Sequence, residues 1–365
     1  MRQLVTTVET ATKKYREVEQ VLRREIASGD WLAGAQIPAA QELAKRFGVA
    51  NMTVRQAITA LVDDGILVRV QGKGTFVVDR DRSQPETSTR YPMAMLFPVE
   101  WQRRDAYYFG DLLDGFQRVM EAEGHRVPRY DYDVAETPGL LEPGTAVACL
   151  LLEEPHLELI ERLRDTGYRV FAINNYSGRR SIPCIRVNDA GGVEDAVDHL
   201  VSRGHERIAF LRGVSVNLDA MDRQRGFRAA VKKHELRNVV EIGDDFIESA
   251  GYDAAQRLLS SPNPPTAIIC ASDLSALGAV RAVRDRGLSV PHDLSVVGYG
   301  DFSVADYVIP RLTTIRQPRH ELGAGAAEML IKLANGEDIA DRLLDAELII
   351  RESTARHVSA LAAAV

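Results

Sequence analysis

The chain has 365 residues, 45% hydrophobic and 27% charged, with a formal net charge of -7. That length supports two or three domains with real cores, and the ordinary globular composition excludes a low-complexity or membrane-embedded chain. Charge is unevenly placed: residues 1–80 hold 12 Lys+Arg against 9 Asp+Glu and the remainder 33 against 43, so a mildly basic head precedes an acidic body.

In chain order, "MRQLVTTVETATKK" offers no apolar signal core, and the first twelve or so residues are expected to lack order. The notable apolar run elsewhere, "AVACLLL", is too short to span a bilayer, so a cytoplasmic protein without membrane attachment is expected. "KYREVEQVLRREIASGDW" puts Tyr15, Val18, Leu22 and Ile26 on one helical face, with Gly29 as its stop. "IPAAQELAKRFG" predicts a second helix with Pro38 at its first position, Leu43 and Phe47 as its apolar stripe and Gly48 as its end. After a short turn, "NMTVRQAITALVDDG" predicts a third helix that buries Val54, Ile58, Leu61 and Val62 and closes at Gly65. Its first turns carry Asn51, Thr53, Arg55 and Gln56, side chains that reach base edges or phosphates. "ILVRVQGKGTFVV" gives two β-rich runs around Gln71-Gly72-Lys73-Gly74, a hairpin pattern. Three helices and a hairpin describe a winged helix-turn-helix, and a locally basic head can bind a polyanion despite the acidic total.

Residues 79–91, "DRDRSQPETSTRY", contain no aliphatic side chain and read as a linker. From Met93 onward strand-like runs alternate with helical ones, as in "MAMLFPV" then "FGDLLDGFQRVMEAEG", and "TAIICAS" then "DLSALGAVRAVRDRG". This alternation predicts an α/β body of parallel sheets flanked by helices, with a ligand site beyond the carboxyl ends of the strands. The polar residues that close the strands are the candidates: Asn174, Asn175, Asp189, Ser272, Asp273, Tyr299, Gly300, Asp301 and Gln317. Cys149, Cys184 and Cys270 each stand alone in an apolar run and read as buried thiols of a reducing compartment. No dinucleotide fingerprint, phosphate loop, Gly-x-Ser-x-Gly or metal-spaced cluster occurs, so neither an enzyme nor a cofactor is expected. His199 and His205 read as packed or surface residues of a helix-to-strand segment.

Two stretches resemble known families. Residues 13–78 resemble the DNA-binding head of the GntR family through "KYREV", "IASGDW", "IPAAQELAKRFGV", "TVRQAI" and "VQGKGTFV". Residues 92–355 resemble the LacI/GalR regulatory domain, itself similar to periplasmic sugar-binding proteins, through "YYFGDLLDGF", "VNDAGG", "DHLVSRGHERIAFLRG", "RQRGFRAAV", "ASDLSALGAVRAVRDRGLSVPHDLSVVGYGDF" and "PRLTTIRQP". The union resembles the arabinose-repressor type. It implies a head over 1–78 and a body over 92–355, followed by a tail over 356–365. The body splits into one lobe of about 92–187 and 317–346 and another of about 188–316 and 347–355. The implied partners are double-stranded operator DNA, a small polar effector such as a sugar, and a second copy of the chain. A cytoplasmic solute sensor, or a regulator that activates or uses a corepressor, is the alternative on the same fold.

By resemblance, DNA contacts fall on Gln41, on Ala50, Asn51 and Thr53 at the start of the recognition helix, on Arg55, and on the wing residues Gln71, Gly72 and Lys73. Ligand contacts fall on Tyr108, Phe109, Asn175, Arg223, Ser272, Asp273 and Gln317. Several positions depart from the family pattern. Ala39 and Ala40 replace a capping Ser-Glu, which removes an oxygen cap and its partner. Gln41 stands where Arg is usual, and Ala50-Asn51 replace Ser-Arg; Asn51 either caps the helix or reads adenine. Gly300 replaces an Asp that clamps ligand hydroxyls, which leaves space for a larger or differently substituted ligand, and Asp301 is expected to point elsewhere. The linker lacks the helical hinge of the LacI group.

Overall fold

The computed structural model describes residues 2–27, 31, 35–64, 66–70, 74–77, 89–98, 106–132, 135, 141–150, 154–174, 182–243 and 245–357. The linker expected over 79–91 therefore lies largely outside the described residues. In the head, α1 (Arg2–Ala27), α2 (Ala40–Phe47) and α3 (Asn51–Asp63) are followed by the antiparallel hairpin of β1 (Leu67–Val70) and β2 (Gly74–Val77). Val18 and Leu22 of α1, Leu43 of α2, and Val54, Ala57, Ile58 and Leu61 of α3 share one buried cluster with Leu67 and Val77. Residues 35–37 meet β2 in an isolated antiparallel bridge, where Ile37 N–H donates to the Thr75 carbonyl and Val77 N–H to the Ala35 carbonyl. Two expectations are corrected. The first residues are helical from Arg2, because no Gly or Pro interrupts the chain before Ala27 and an established helix extends at low cost. Pro38 does not open α2; Ala39 holds the cap position and the helix starts at Ala40.

The body consists of two parallel sheets. The first lobe holds β3 (Met93–Leu96), α4 (Ala106–Ala122), β4 (Arg129–Tyr130), β5 (Ala146–Leu150), α5 (Glu154–Asp165), β6 (Arg169–Ile173) and β7 (Cys184–Val187). The second holds α6 (Asp189–Ser202), β8 (Arg207–Leu211), α7 (Leu218–Lys233), β9 (Asn238–Ile242), α8 (Glu248–Leu259), β10 (Ala267–Cys270), α9 (Asp273–Asp285), β11 (Ser295–Gly300) and β12 (Thr313–Arg316). The chain then returns to the first lobe with α10 (Arg319–Ala334) and β13 (Arg342–Leu344), and to the second with β14 (Glu347–Ile349). Strand orders are β13-β7-β6-β5-β3-β4 and β14-β12-β11-β10-β8-β9, parallel throughout except that β14 runs antiparallel to β12.

Strands bury both faces. In β5, Ala146, Ala148 and Leu150 join one core layer while Val147 and Cys149 join the other. This is why the run reads as continuously apolar rather than alternating. Two helix pairs cross through glycines. A β-carbon on Gly323 of α10 would stand 1.9 Å from the Leu112 carbonyl oxygen of α4, and one on Gly278 of α9 would stand 1.9 Å from the Glu248 carbonyl oxygen of α8. All three cysteines are free and buried, and burial pushes the Cys184 thiol up to about 11.

After β14 the chain forms a strap across the second sheet. Val296 N–H donates to the Ser353 carbonyl at 2.9 Å, and the Ser353 hydroxyl donates back to the Val296 carbonyl at 2.6 Å. His199 bonds Thr354 Oγ1, while His205 bonds Thr266 Oγ1 and the Ala355 carbonyl and stacks on His357. Burial, with Arg203 nearby, pushes both His199 and His205 down to about 4 from 6.5. Both stay neutral when folded, whereas the unfolded chain protonates them near their ordinary value. Their contribution is complete above pH 6.5 and is lost as pH falls towards 4. Folding stability is expected to fall through that window by on the order of 1–3 kcal/mol per histidine, read as a lower melting temperature. In calorimetry His205→Gln should flatten the drop; an equally steep wild-type and variant profile would refute the assignment.

Candidate functional site

Two surfaces carry chemistry, one in the head and one between the lobes. On α3, Met52, Arg55, Gln56 and Thr59 are exposed and follow an i, i+3, i+4, i+7 stripe. The opposite face, Val54, Ala57, Ile58 and Leu61, is buried. Thr53 lies on that buried side, which corrects the expectation that it contacts DNA: its position along the helix turns it inward. Ala50 is the cap residue, with an extended φ of -67° and ψ of 147°, and its side chain makes no capping bond. Asn51 is the first helical residue and not the cap; its Oδ1 is buried without a hydrogen-bond partner among the described residues. Gln41 is exposed on the first turn of α2. Half of the capping box survives there, since Glu42 Oε2 accepts from the Ala39 N–H at 3.2 Å. The partner judged missing from the sequence is thus supplied by Glu42, two positions after Ala40. Arg69 of β1 donates to Thr59 Oγ1 at 2.7 Å, which ties the wing to the helix. Gln71, Gly72 and Lys73 lie outside the described residues.

The second surface is a cleft lined by Tyr108, Phe109, Asn217, Asp219, Arg223, Phe246, Ser272, Tyr299, Phe302 and Gln317. Helix α4 supplies Tyr108 and Phe109, which are both core residues and cleft wall. Tyr108 Oη accepts from Asn174 Nδ2 at the end of β6. Asn175 lies outside the described residues. Arg223 is buried: its Nε donates to Asp189 Oδ1 at 3.0 Å, its Nη1 to the Ala271 carbonyl at 2.7 Å, and its guanidinium lies 3.9 Å from the Tyr299 ring centre. The Asp189 carboxylate holds Arg223 charged against the cost of burial, so it is not the surface cation its polar neighbours suggest.

Ser272 both caps α9, accepting from Ser275 N–H at 3.0 Å, and faces the cleft. Asp273 does not line the cleft, which corrects its expected ligand role. Its carboxylate accepts from Thr314 Oγ1 and, at 2.7 Å, from the Phe302 N–H, behind the wall. Burial pushes it up to about 6. Gln317 is 4% exposed and lines the cleft, with no partner for its Nε2 among the described residues. A buried amide donor left open at a cleft wall is the clearest polar anchor for a ligand.

The space expected from the loss of an acidic side chain at position 300 is filled. Gly300 has a φ of +127°, and a β-carbon there would meet Phe302 Cε1 at 3.0 Å. Phe302 crosses from the second lobe into the core cluster of the first, and it stacks on Tyr107 at 5.6 Å. Arg319 of α10 lies over the Phe302 ring, donates to the Gly300 carbonyl and holds Asp111 Oδ2 at 2.8 Å. On the far side Leu218 enters the other core cluster of the first lobe. Asp301 pairs with Arg316 and Arg351, each at 2.7 Å. Only about 40 Å³ remains open between the walls, little more than the share of one water. A ligand of sugar size therefore requires the lobes to part.

Asn217, Asp219, Phe246 and Phe302 line the cleft but were not foreseen from the sequence. Only Asn217 left a signal, as the oxygen cap of α7 that accepts from Ala220 N–H. Among the described residues no helix is long and apolar enough to cross a membrane. Removing the cross-lobe contacts with Arg319→Ala plus Phe302→Ala should shift the molecule towards an open form, read as a larger radius of gyration in small-angle scattering. An unchanged radius would show that the latch does not hold the closure.

Residues 14–77 match the bacterial regulatory protein, gntR family model, and residues 197–354 match a periplasmic binding protein-like domain. The chain is 30% identical to the arabinose metabolism transcriptional repressor of Geobacillus stearothermophilus, over 95% of this chain and 99% of that protein. A LacI-family regulator from Bacillus cereus subsp. cytotoxis superposes with a TM-score of 0.66 at 23% identity, covering 73% of this chain and all of that one. A LacI-family regulator from Enterococcus faecium with bound ribose gives 0.63 at 23% identity over 73% of this chain and 100% of that one. The relatives are transcriptional regulators, and the solved structures share the fold of the body.

Proposed function

The chain belongs to the family of transcriptional repressors that join a gntR-type head to a periplasmic-binding-protein-like body, and from this we propose that it represses an operator until a small polar ligand enters its cleft. The observation that carries this reading is the exposed α3 stripe of Met52, Arg55, Gln56 and Thr59 on a buried helical core. The stripe presents Arg55, without any intramolecular partner for its guanidinium among the described residues, where it can fork onto a guanine in the major groove. An unpaired cation on a rigid helix suits a polyanionic partner.

In this reading two chains pair through their bodies and place two heads on a two-fold operator, since one head alone binds weakly. The effector supplies hydroxyls to Gln317, Ser272 and Asn217 and a C–H face to Phe109 and Phe246. Ligand exchange with the cross-lobe contacts changes the angle between the lobes and so the reach of the linked heads. A coupling of about 1–3 kcal/mol suffices to release DNA.

The reading is tested by fluorescence anisotropy with the full chain and DNA from upstream of its own and neighbouring genes. Tight, salt-sensitive binding is expected, weakened by one member of a sugar and sugar-derivative panel. Binding indifferent to every cleft ligand would remove the effector part. Arg55→Ala should weaken operator binding roughly 5- to 100-fold, the worth of one bidentate contact, with an unchanged melting temperature.

A further inference from the structure

The exposed tip of the reading helix is short of cations and rich in apolar and amide groups. Met52 is 71% exposed, at the leading end of the α3 stripe and one turn before Arg55 and Gln56. Ala39 and Gln41 at the start of α2 and Ala50 at the cap of α3 are also exposed. Among these residues Arg55 supplies the single positive charge. An unbranched, polarizable thioether held at the leading turn of a helix is an apolar probe. The major groove offers such a probe one apolar group, the C5-methyl of thymine. Glutamine amides match the N6 and N7 edge of adenine, and the guanidinium matches guanine.

We propose that Met52 is a base-reading residue that recognises a thymine methyl, so that each half-site is A·T-rich with a single guanine opposite Arg55. The inference rests on the operator-binding reading. Three helical residues separate Met52 from Arg55, a rise of about 4.5 Å. Base pairs are spaced by about 3.4 Å, so the thymine lies one or two pairs from the guanine. Thr59 is engaged by Arg69 and stands back from the bases, which leaves Met52, Arg55 and Gln56 to set specificity.

The test uses the full chain. A random duplex pool is selected, and in the best site each thymine is replaced in turn by deoxyuridine, which removes the methyl and leaves every hydrogen bond. One thymine per half-site should lose about fourfold in affinity, the worth of one buried methyl group. That thymine should lie one or two pairs from the guanine whose preference Arg55→Ala relaxes. Met52→Ala should abolish the deoxyuridine effect at that position with an unchanged melting temperature, and Met52→Leu should retain it. Tolerance of deoxyuridine at every position, or the same sensitivity in Met52→Ala, would overturn the proposal while leaving operator binding intact. Failure of the pool to enrich any site would overturn both.

Discussion

A guanidinium buried at the floor of the cleft must find every partner inside the protein. Arg223 finds them on three elements: the Asp189 carboxylate at the start of α6, the Ala271 carbonyl beyond β10, and the ring of Tyr299 on β11. Tyr299 Oη donates to the same Asp189 oxygen, so cation, anion and phenol form one closed set. Removing either ion leaves the other uncompensated inside the protein, which costs far more than losing a surface pair. The second lobe is thereby fixed at the carboxyl ends of its strands, where its wall of the cleft is built. Phe246 and Ser272 take their places relative to that set: Phe246 lies against the Arg223 guanidinium, and Ser272 Oγ donates to the Phe246 carbonyl.

The opposing wall is fixed differently. The first lobe brings Phe109 and Tyr108 on α4, and the contact across the gap is mostly apolar, with Phe302 and Leu218 inserted from the second lobe. Apolar contacts of this kind have no directional demand, so they can be undone and remade as the lobes rotate. The polar part of the closure includes Arg319, which bridges Asp111 and the Gly300 carbonyl, and the looser pair of Arg186 with Asp222 at 4.0 Å. Gly300 serves this arrangement twice. Its carbonyl takes the guanidinium, and its missing side chain admits the Phe302 ring.

The head and the layered body were legible because their signals are periodic. Leu43, Val54, Ile58 and Leu61 mark helix faces, and both-face burial makes β5, β10 and β11 read as unbroken apolar runs. The edge strands β4, of two residues, and β9, half exposed along its length, left no such run, since an edge buries less. Arg223, on a helix, and Gln317, just past β12, could be singled out because both fall within family motifs, and both line the cleft. Phe246 and Phe302 sit in irregular segments whose positions depend on tertiary packing, and neither period nor spacing marks them. Thr53 and Asp273 were misjudged for one reason. Sequence gives the position along the chain but not the direction of the side chain, and in each case the direction is inward.

The order in which the lobes share the chain has a consequence for synthesis. The first lobe lacks α10 and β13 until the whole of the second has been made, and the second sheet lacks β14 until β13 is in place. During translation the first sheet is incomplete until β13 has left the ribosome, and the second until β14 has. The head has no such debt to later residues, because its buried cluster draws only on positions before the linker. A nascent chain thus carries a folded reading head well before it has a body to pair or to sense with. Stalled or truncated products would be DNA-directed monomers, blind to ligand and short of the second head that gives the operator its grip.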